Sequence, residues 1–292
     1  MTKISIGTAQ WGLNYGISNT TGIPSYKHLT EILDYARTNK IKMLDTAALY
    51  GEAESKLGKV GCDNFWIVTK ITIQNHKNST SIKRSIQNSL KRLNQNSIYG
   101  CLIHNPETLI NNQKEWFELQ NEKNNGSVLK VGYSIYDVNT LEALFKGGMI
   151  PDIIQFPYNI LDRKFERHMD LLKKHKVEIH VRSVFMQGLF FMELDKLPFR
   201  VLGLKNELKK LHEICNKWNV GVSQAALQFV ASKKQISGIV IGVDSIDHLN
   251  NNIRLFKEPI DQPFFDEINK LFLKLDNPLK KTNEWKKVKK IK

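Results

Sequence analysis

Short, nearly continuous apolar runs alternate along this chain with longer stretches in which apolar residues recur every three or four positions. The short runs fall at residues 3–7, 41–45, 65–70, 99–104, 130–134, 152–156, 178–183 and 239–243, and each reads as a strand. Between them the spacing predicts helices. One opens at Pro24-Ser25 and puts Leu29, Ile32, Leu33 and Ala36 on one face. Others are expected over 52–60, around Ile82, Ile86, Leu90 and Leu93, and over 139–145, 165–175, 208–218, 223–231, 245–256 and 264–275. A longer insert runs from 187 to about 205. Strands without polar alternation are covered on both faces, as in parallel sheets. Repeated strand-then-helix units predict an α/β fold, a (β/α)8 TIM barrel, as a single domain over 1–275 with a basic tail over 276–292. A doubly wound sheet would alternate in the same way. However, no Gly-x-Gly-x-x-Gly follows the first strand and no Walker-type loop is present.

Charge adds a bias toward anions. The 292 residues carry 43 Lys and Arg against 29 Asp and Glu, a formal net charge of +14. The excess is spread along the chain except at Lys280-Lys281 and Lys286-Lys287-Val288-Lys289-Lys290, read as a solvated tail. Such a balance favours phosphorylated small molecules, nucleic acid or anionic lipid. No nucleic-acid recognition motif accompanies it, so no nucleic-acid partner is expected. No apolar run reaches ~18 residues, so no membrane span is expected. The first residues enter a strand pattern without a signal-peptide core. Cys62, Cys101 and Cys215 form no Cys-x-x-Cys pair, which makes a cytoplasmic location the expectation.

The candidate chemistry sits where three consecutive strands end. Asp45, Lys70 and His104 close the second, third and fourth runs, and Tyr50 lies in the loop after the second. Neighbouring strands stand ~5 Å apart, so the side chains should converge at the C-terminal mouth of a barrel. Taken singly, Asp45 could cap a helix, Lys70 could serve a structural ion pair, and His104 could close a turn before Asn105-Pro106. Taken together they can do acid–base work on a carbonyl. Lys70, paired with Asp45, is expected to stabilise the Tyr50 phenolate and lower its pKa. Tyr50 could then donate a proton, and His104 could orient a carbonyl oxygen. The set supplies no nucleophile and no metal cage, so a hydride donor must come from a cofactor.

At this level of detail the chain resembles the aldo/keto reductases. Leu44-Asp45-Thr46-Ala47-x-x-Tyr50-Gly51-x-x-Glu54, Val68-Thr69-Lys70 and Leu102-Ile103-His104 match that family's motifs. So do Val131-Gly132-Tyr133-Ser134, Ile154-Gln155-x-x-Tyr158-Asn159-x-x-Asp162-Arg163, Arg182-Ser183-Val184-Phe185-x-Gln187-Gly188-Leu189 and Ile241-Gly242-Val243-x-Ser245, ending at Asn252. The resemblance implies reduction of an aldehyde or ketone by NAD(P)H, with Asp45, Tyr50, Lys70 and His104 as the catalytic tetrad and Tyr50 as proton donor. It implies that Ser134 and Gln155 hold the nicotinamide carboxamide, that Arg182 and Ser183 adjoin the ring, and that Gly7 and Thr8 line the cofactor bed. Gly242, Val243 and Ser245 would hold the adenosine-side phosphate and Asn252 the adenine.

The departures are Ile135, where the family often has Asn, Arg182, where many members stack a tyrosine, and Asp244. Asp244 stands where many relatives carry a basic residue for the 2′-phosphate, so the expected cofactor is NADPH with NADH also served. The opening Gly7-Thr8-Ala9-Gln10-Trp11-Gly12 is similar to a bacterial branch linked to surface-polysaccharide sugars, which implies a sugar-derived carbonyl. Trp11, Tyr15, Tyr136 and Phe185 could line the substrate pocket, with Trp11 and Trp66 in or near the barrel. His28, His76 and His180 read as structural, and Cys101 as core.

The partner expected is a small-molecule carbonyl, with the chain a monomer or small homo-oligomer. Two other functions are open. One is a cofactor-binding regulatory or redox-sensing subunit with little turnover, and the other a barrel aldolase using Lys70 as a Schiff base.

Overall fold

The computed structural model of the chain describes residues 3–16, 22–73 and 81–272. Within them β1 (Ile4–Gly7), β2 (Met43–Asp45), β3 (Trp66–Ile71), β4 (Ile98–Ile103), β5 (Val128–Ser134), β6 (Ile153–Pro157), β7 (Glu178–Arg182) and β8 (Ile236–Gly242) pair in parallel in chain order. The eighth strand returns to the first, through Ile4–Ile239 to Gly7–Gly242, and the barrel is closed. The connecting helices are α1 (Ala9–Gly12), α2 (Tyr26–Thr38), α3 (Ala53–Val60), α4 (Ile82–Leu93), α5 (Lys114–Asn124), α6 (Val138–Lys146), α7 (Met169–Lys174), α8 (Lys205–Lys217), α9 (Val222–Ala231), α10 (Ile246–Lys257) and α11 (Gln262–Phe272). The expected (β/α)8 barrel is what the chain forms.

Local chemistry sets the helix starts. Ser25, Ser81, Asp137 and Ser245 each accept a hydrogen bond from a backbone N–H of the first turn of α2, α4, α6 and α10. The apolar faces then bury against the strands: Leu29, Ile32, Leu33 and Ala36 in α2, and Ile82, Ile86 and Leu93 in α4. Asn94 ends α4 in the left-handed conformation, φ 54°.

Three expectations change. The single helix expected over 165–175 is a 3-10 turn, Glu166–His168, followed by the short α7. The insert beginning at 187 is a chain of 3-10 turns, Met186–Phe191, Leu194–Lys196 and Phe199–Leu204. α5 was not marked by the pattern, because exposed Phe117 blurs the stripe made by buried Trp116 and Leu119. The tail over 276–292, the end of the last predicted helix and His76 lie outside the described residues.

Inside the barrel the side chains stack in layers. Val68, Leu102 and Ile153 form a fully buried apolar group, with Met43 and Tyr99 packed against it. Side chains two residues further along a strand point to the same face, one layer nearer the C-terminal mouth. Those positions are Asp45 after Met43, Lys70 after Val68, His104 after Leu102 and Gln155 after Ile153. A dry apolar floor thus carries a polar layer.

Candidate active site

The polar layer is knitted together at Asp45. Its Oδ1 accepts from Lys70 Nζ at 2.6 Å, and its Oδ2 accepts from Gln155 Nε2 at 2.7 Å. Lys70 Nζ also donates to the Thr46 carbonyl at 2.9 Å. Asp45 is 3% exposed and Lys70 fully buried, so this is an ion pair out of water with its remaining valences satisfied. Lys70 stays below the ordinary lysine range because burial opposes its charge, only partly offset by Asp45. Two acceptors and no exposed surface leave it badly placed to form a Schiff base.

Tyr50 hangs over this layer. Its ring lies 5.1 Å from Lys70 Nζ and meets His104 edge-on, ring centroids 6.1 Å apart. The loop carrying it is fixed by close backbone approach. A Cβ on Gly12 would stand 1.8 Å from the Tyr50 carbonyl oxygen, and one on Gly51, at φ 57°, would stand 2.3 Å from the Gly12 carbonyl oxygen. The phenol does not behave as the sequence predicts. Its pKa is raised, first by burial and then by the Asp45 charge. Lys70 sits over the ring face and is neutralised by Asp45, so it gives the phenolate little support. Tyr50 is therefore a proton held firmly at the mouth.

His104 lies one residue past β4, its N–H donating to the Ile71 carbonyl at 2.8 Å. Asn105 beside it bonds Ile73 through both side-chain atoms at 2.9 Å, tying the third and fourth strand exits together.

A cavity of about 470 Å³ opens above Tyr50. Of the residues assigned from sequence, Gly7, Asp45, Tyr50, Arg182, Ser183, Gly242 and Asn252 line it. Tyr15 and Phe185 line it too. Thr8 is buried and donates its hydroxyl to the Asp45 carbonyl, Val243 is buried with its carbonyl taken by Trp11 Nε1 at 2.7 Å, and Ser245 caps α10. Trp11 is thus packing, and Trp66 lies at the opposite end, half-exposed and stacked on Tyr99.

The residues missed from sequence were Gln10, Phe191, Ser223, His248 and Asn251. Only His248 left a trace, standing four positions after Asp244 at a helix start. These two form an ion pair, which lowers the Asp244 pKa and raises that of His248.

The residues fit a nicotinamide. Ser134 and Gln155 are register partners on β5 and β6, both buried, and Ser134 Oγ and Gln155 Oε1 have no hydrogen-bond partner among the described residues. One hydroxyl and one amide oxygen left unpaired side by side match the acceptor and donor of a carboxamide. The loop after β7 is strained beside them: Ser183, Met186 and Gln187 all have positive φ. Asn159 Nδ2 braces it through the Ser183 carbonyl at 3.0 Å. Among the described residues, no group of three or more His, Cys, Asp or Glu could hold a metal, and no helix is long and apolar enough to cross a membrane.

Comparison with known proteins finds a family and a fold. The model of the Aldo/keto reductase family matches residues 3–272. Pyridoxal 4-dehydrogenase of Microbacterium luteolum is 24% identical over 133 residues, 42% of this chain and 38% of that protein. Aldo-keto reductase YhdN of Bacillus subtilis is 24% identical over 200 residues, 63% of this chain and 57% of that protein. The chain therefore spans well under two thirds of the length of these relatives. Among solved structures, aldo-keto reductase AKR11C1 of Bacillus halodurans, in its holo form, superposes with TM-score 0.74 at 22% identity, covering 92% of each chain. An aldo-keto reductase of Klebsiella pneumoniae in complex with NADPH gives 0.70 at 18% identity, covering 93% of this chain and 91% of that one.

Proposed function

The chain belongs to the aldo/keto reductase family, and from that premise we propose that it reduces an aldehyde or ketone to an alcohol with NAD(P)H, Tyr50 giving the proton. One observation carries the reading: a half-buried, protonated phenol faces a cavity above the Lys70–Asp45 ion pair, near two polar atoms, orphaned among the described residues, that suit a carboxamide.

When bound, a nicotinamide cofactor would supply the hydride for the carbonyl carbon. Ser134 and Gln155 would hold its carboxamide, and Gln155, already bonded to Asp45, would tie that group to the ion pair. His104 and Tyr50 orient the carbonyl oxygen. As negative charge develops there, the Tyr50 proton moves to the oxygen, and the Arg182 guanidinium, whose charge is felt at Tyr50, favours the phenolate left behind more than Lys70, which Asp45 neutralises. The apolar floor of Val68, Leu102 and Ile153 keeps water from beneath the ion pair.

The finer parts of the proposal are these. NADPH is the cofactor, and NADH serves as well, because Asp244 stands at the phosphate end of the cavity. The substrate is sugar-derived, on the resemblance of the opening segment to the polysaccharide-linked branch. The protein works in the cytoplasm as a monomer or small homo-oligomer, with one barrel domain. Cys62, Cys101 and Cys215, free and buried, suit such a compartment.

The test is consumption of NADPH and NADH with a panel of sugar-derived and simple aldehydes. Turnover with either cofactor supports the reading. Tight cofactor binding with no turnover on any carbonyl would favour the regulatory subunit instead.

A further inference from the structure

The charged side chains among the described cavity residues are Asp45, Arg182, Asp244 and His248. Asp45 is held by Lys70 and Gln155, and Asp244 by His248. Arg182 has no such partner. Its guanidinium carbon lies over the Tyr136 ring, 4.0 Å from the centroid, and Nη2 makes one long hydrogen bond, 3.5 Å, to the Ile135 carbonyl. Among the described residues no carboxylate pairs with it. Half-buried cations in such walls are normally paired, since desolvation costs more than a stacked ring returns.

Its place matters as much as its charge. Arg182 is the last residue of β7, and its field reaches Tyr50, Lys70 and Tyr15, at the reacting end. The phosphate end, at Asp244, has its own cation in His248. Phe185 and Phe191, rings 5.4 Å apart, form an apolar wall of the same cavity, and a planar fork in such surroundings binds an oxyanion in bidentate fashion.

We propose that the carbonyl substrate of this protein is an anion, carrying a carboxylate or phosphate that Arg182 receives while Tyr50 and His104 hold the carbonyl. The inference rests on the reductase reading above. It narrows the substrate class from any small carbonyl to acidic aldehydes and ketones, and the net charge of +14 would steer them in.

Two matched pairs of substrates test it in the full-length protein: succinic semialdehyde against neutral butanal, and glyceraldehyde 3-phosphate against neutral glyceraldehyde. The wild type should show a KM about tenfold or more lower for the anionic member of one pair, and that pair identifies the oxyanion. Arg182→Gln should erase the gap through a KM rise of about 10- to 100-fold for the anion. Arg182→Lys, which keeps the charge, should retain part of it. Neutral members preferred by the wild type, or an equal KM rise for both members in Arg182→Gln, would overturn the proposal.

Calorimetric titration with succinate, inorganic phosphate and 1,4-butanediol separates this from the reaction itself. One anion should bind the wild type at least ten times more tightly than Arg182→Gln, with unchanged circular dichroism, and the diol should not discriminate. If no aldehyde is consumed, the reductase reading falls while this titration still decides the anion site. Failure of both anions to bind the wild type overturns it.

Discussion

Whether the cavity feels the charge of Asp244 depends on His248. The pair raises the pKa of His248 and lowers that of Asp244, the mutual hydrogen bond being the largest cause in each. A raised histidine keeps its proton above its unfolded value of ~6.5 and loses it as pH climbs through the folded one. From there Asp244 stands uncompensated and repels a 2′-phosphate. Above about pH 7 that phosphate is fully ionised, its second pKa being ~6, so it adds no titration of its own. The NADPH-to-NADH affinity ratio should therefore fall roughly three- to tenfold between about pH 7 and pH 9. Asp244→Asn should flatten that slope. Equilibrium titrations of both cofactors measure it, and a ratio flat with pH in the wild type would contradict this role for the pair.

At the scale of elements, the Asp45, Tyr50, Lys70 and His104 cluster is held by backbone packing and by a buried carboxylate behind it. Glu54 on α3 accepts from Thr69 Oγ1 at 2.5 Å, beside Lys70, and from Arg92 Nε on α4 at 2.7 Å. Glu54→Ala leaves the Thr69 hydroxyl buried without its acceptor, and should cost about 2–3 kcal/mol in chemical denaturation. Gly12→Ala acts on the other side of the same loop. Its Cβ must displace the Tyr50 backbone, so kcat should drop about tenfold or more while the far-ultraviolet circular dichroism stays native. An unchanged kcat would show that the α1 contact does not position Tyr50.

Most of these elements were legible because parallel strands are apolar on both faces and helices keep a stripe, as Leu29, Ile32, Leu33 and Ala36 do in α2. α5 was hidden by Phe117, and the 3-10 turns from Met186 to Leu204 carry no period at all. They pack instead against α8 and α9, and Asn159 braces Ser183 just before them from another loop.

Across the whole molecule, the candidate site was legible where chemistry follows strand ends. Asp45, Lys70, His104 and Gln155 each stand two residues past an apolar floor residue, a period that the sequence displays. What the sequence could not display is reach across the barrel. Gln155 meets Asp45 over a separation of 110 residues, and Arg182 finds Tyr136 from a different loop. The direction of the Tyr50 pKa also depends on burial, which the isolated motif conceals. A phenol held protonated by burial gives a further expectation: the rate of carbonyl reduction should not decline between about pH 7 and pH 9 through loss of the donor.

The central claim is that Tyr50 is the proton donor in a hydride-transfer reaction. Single-turnover oxidation of bound NADPH by an aldehyde, in wild type and in Tyr50→Phe, tests it most directly. The variant lacks only the hydroxyl, so it should bind NADPH with nearly the same affinity while hydride transfer slows about 100- to 10,000-fold. Transfer at the wild-type rate in Tyr50→Phe would contradict the account, and the proton would have to come from another group at the mouth.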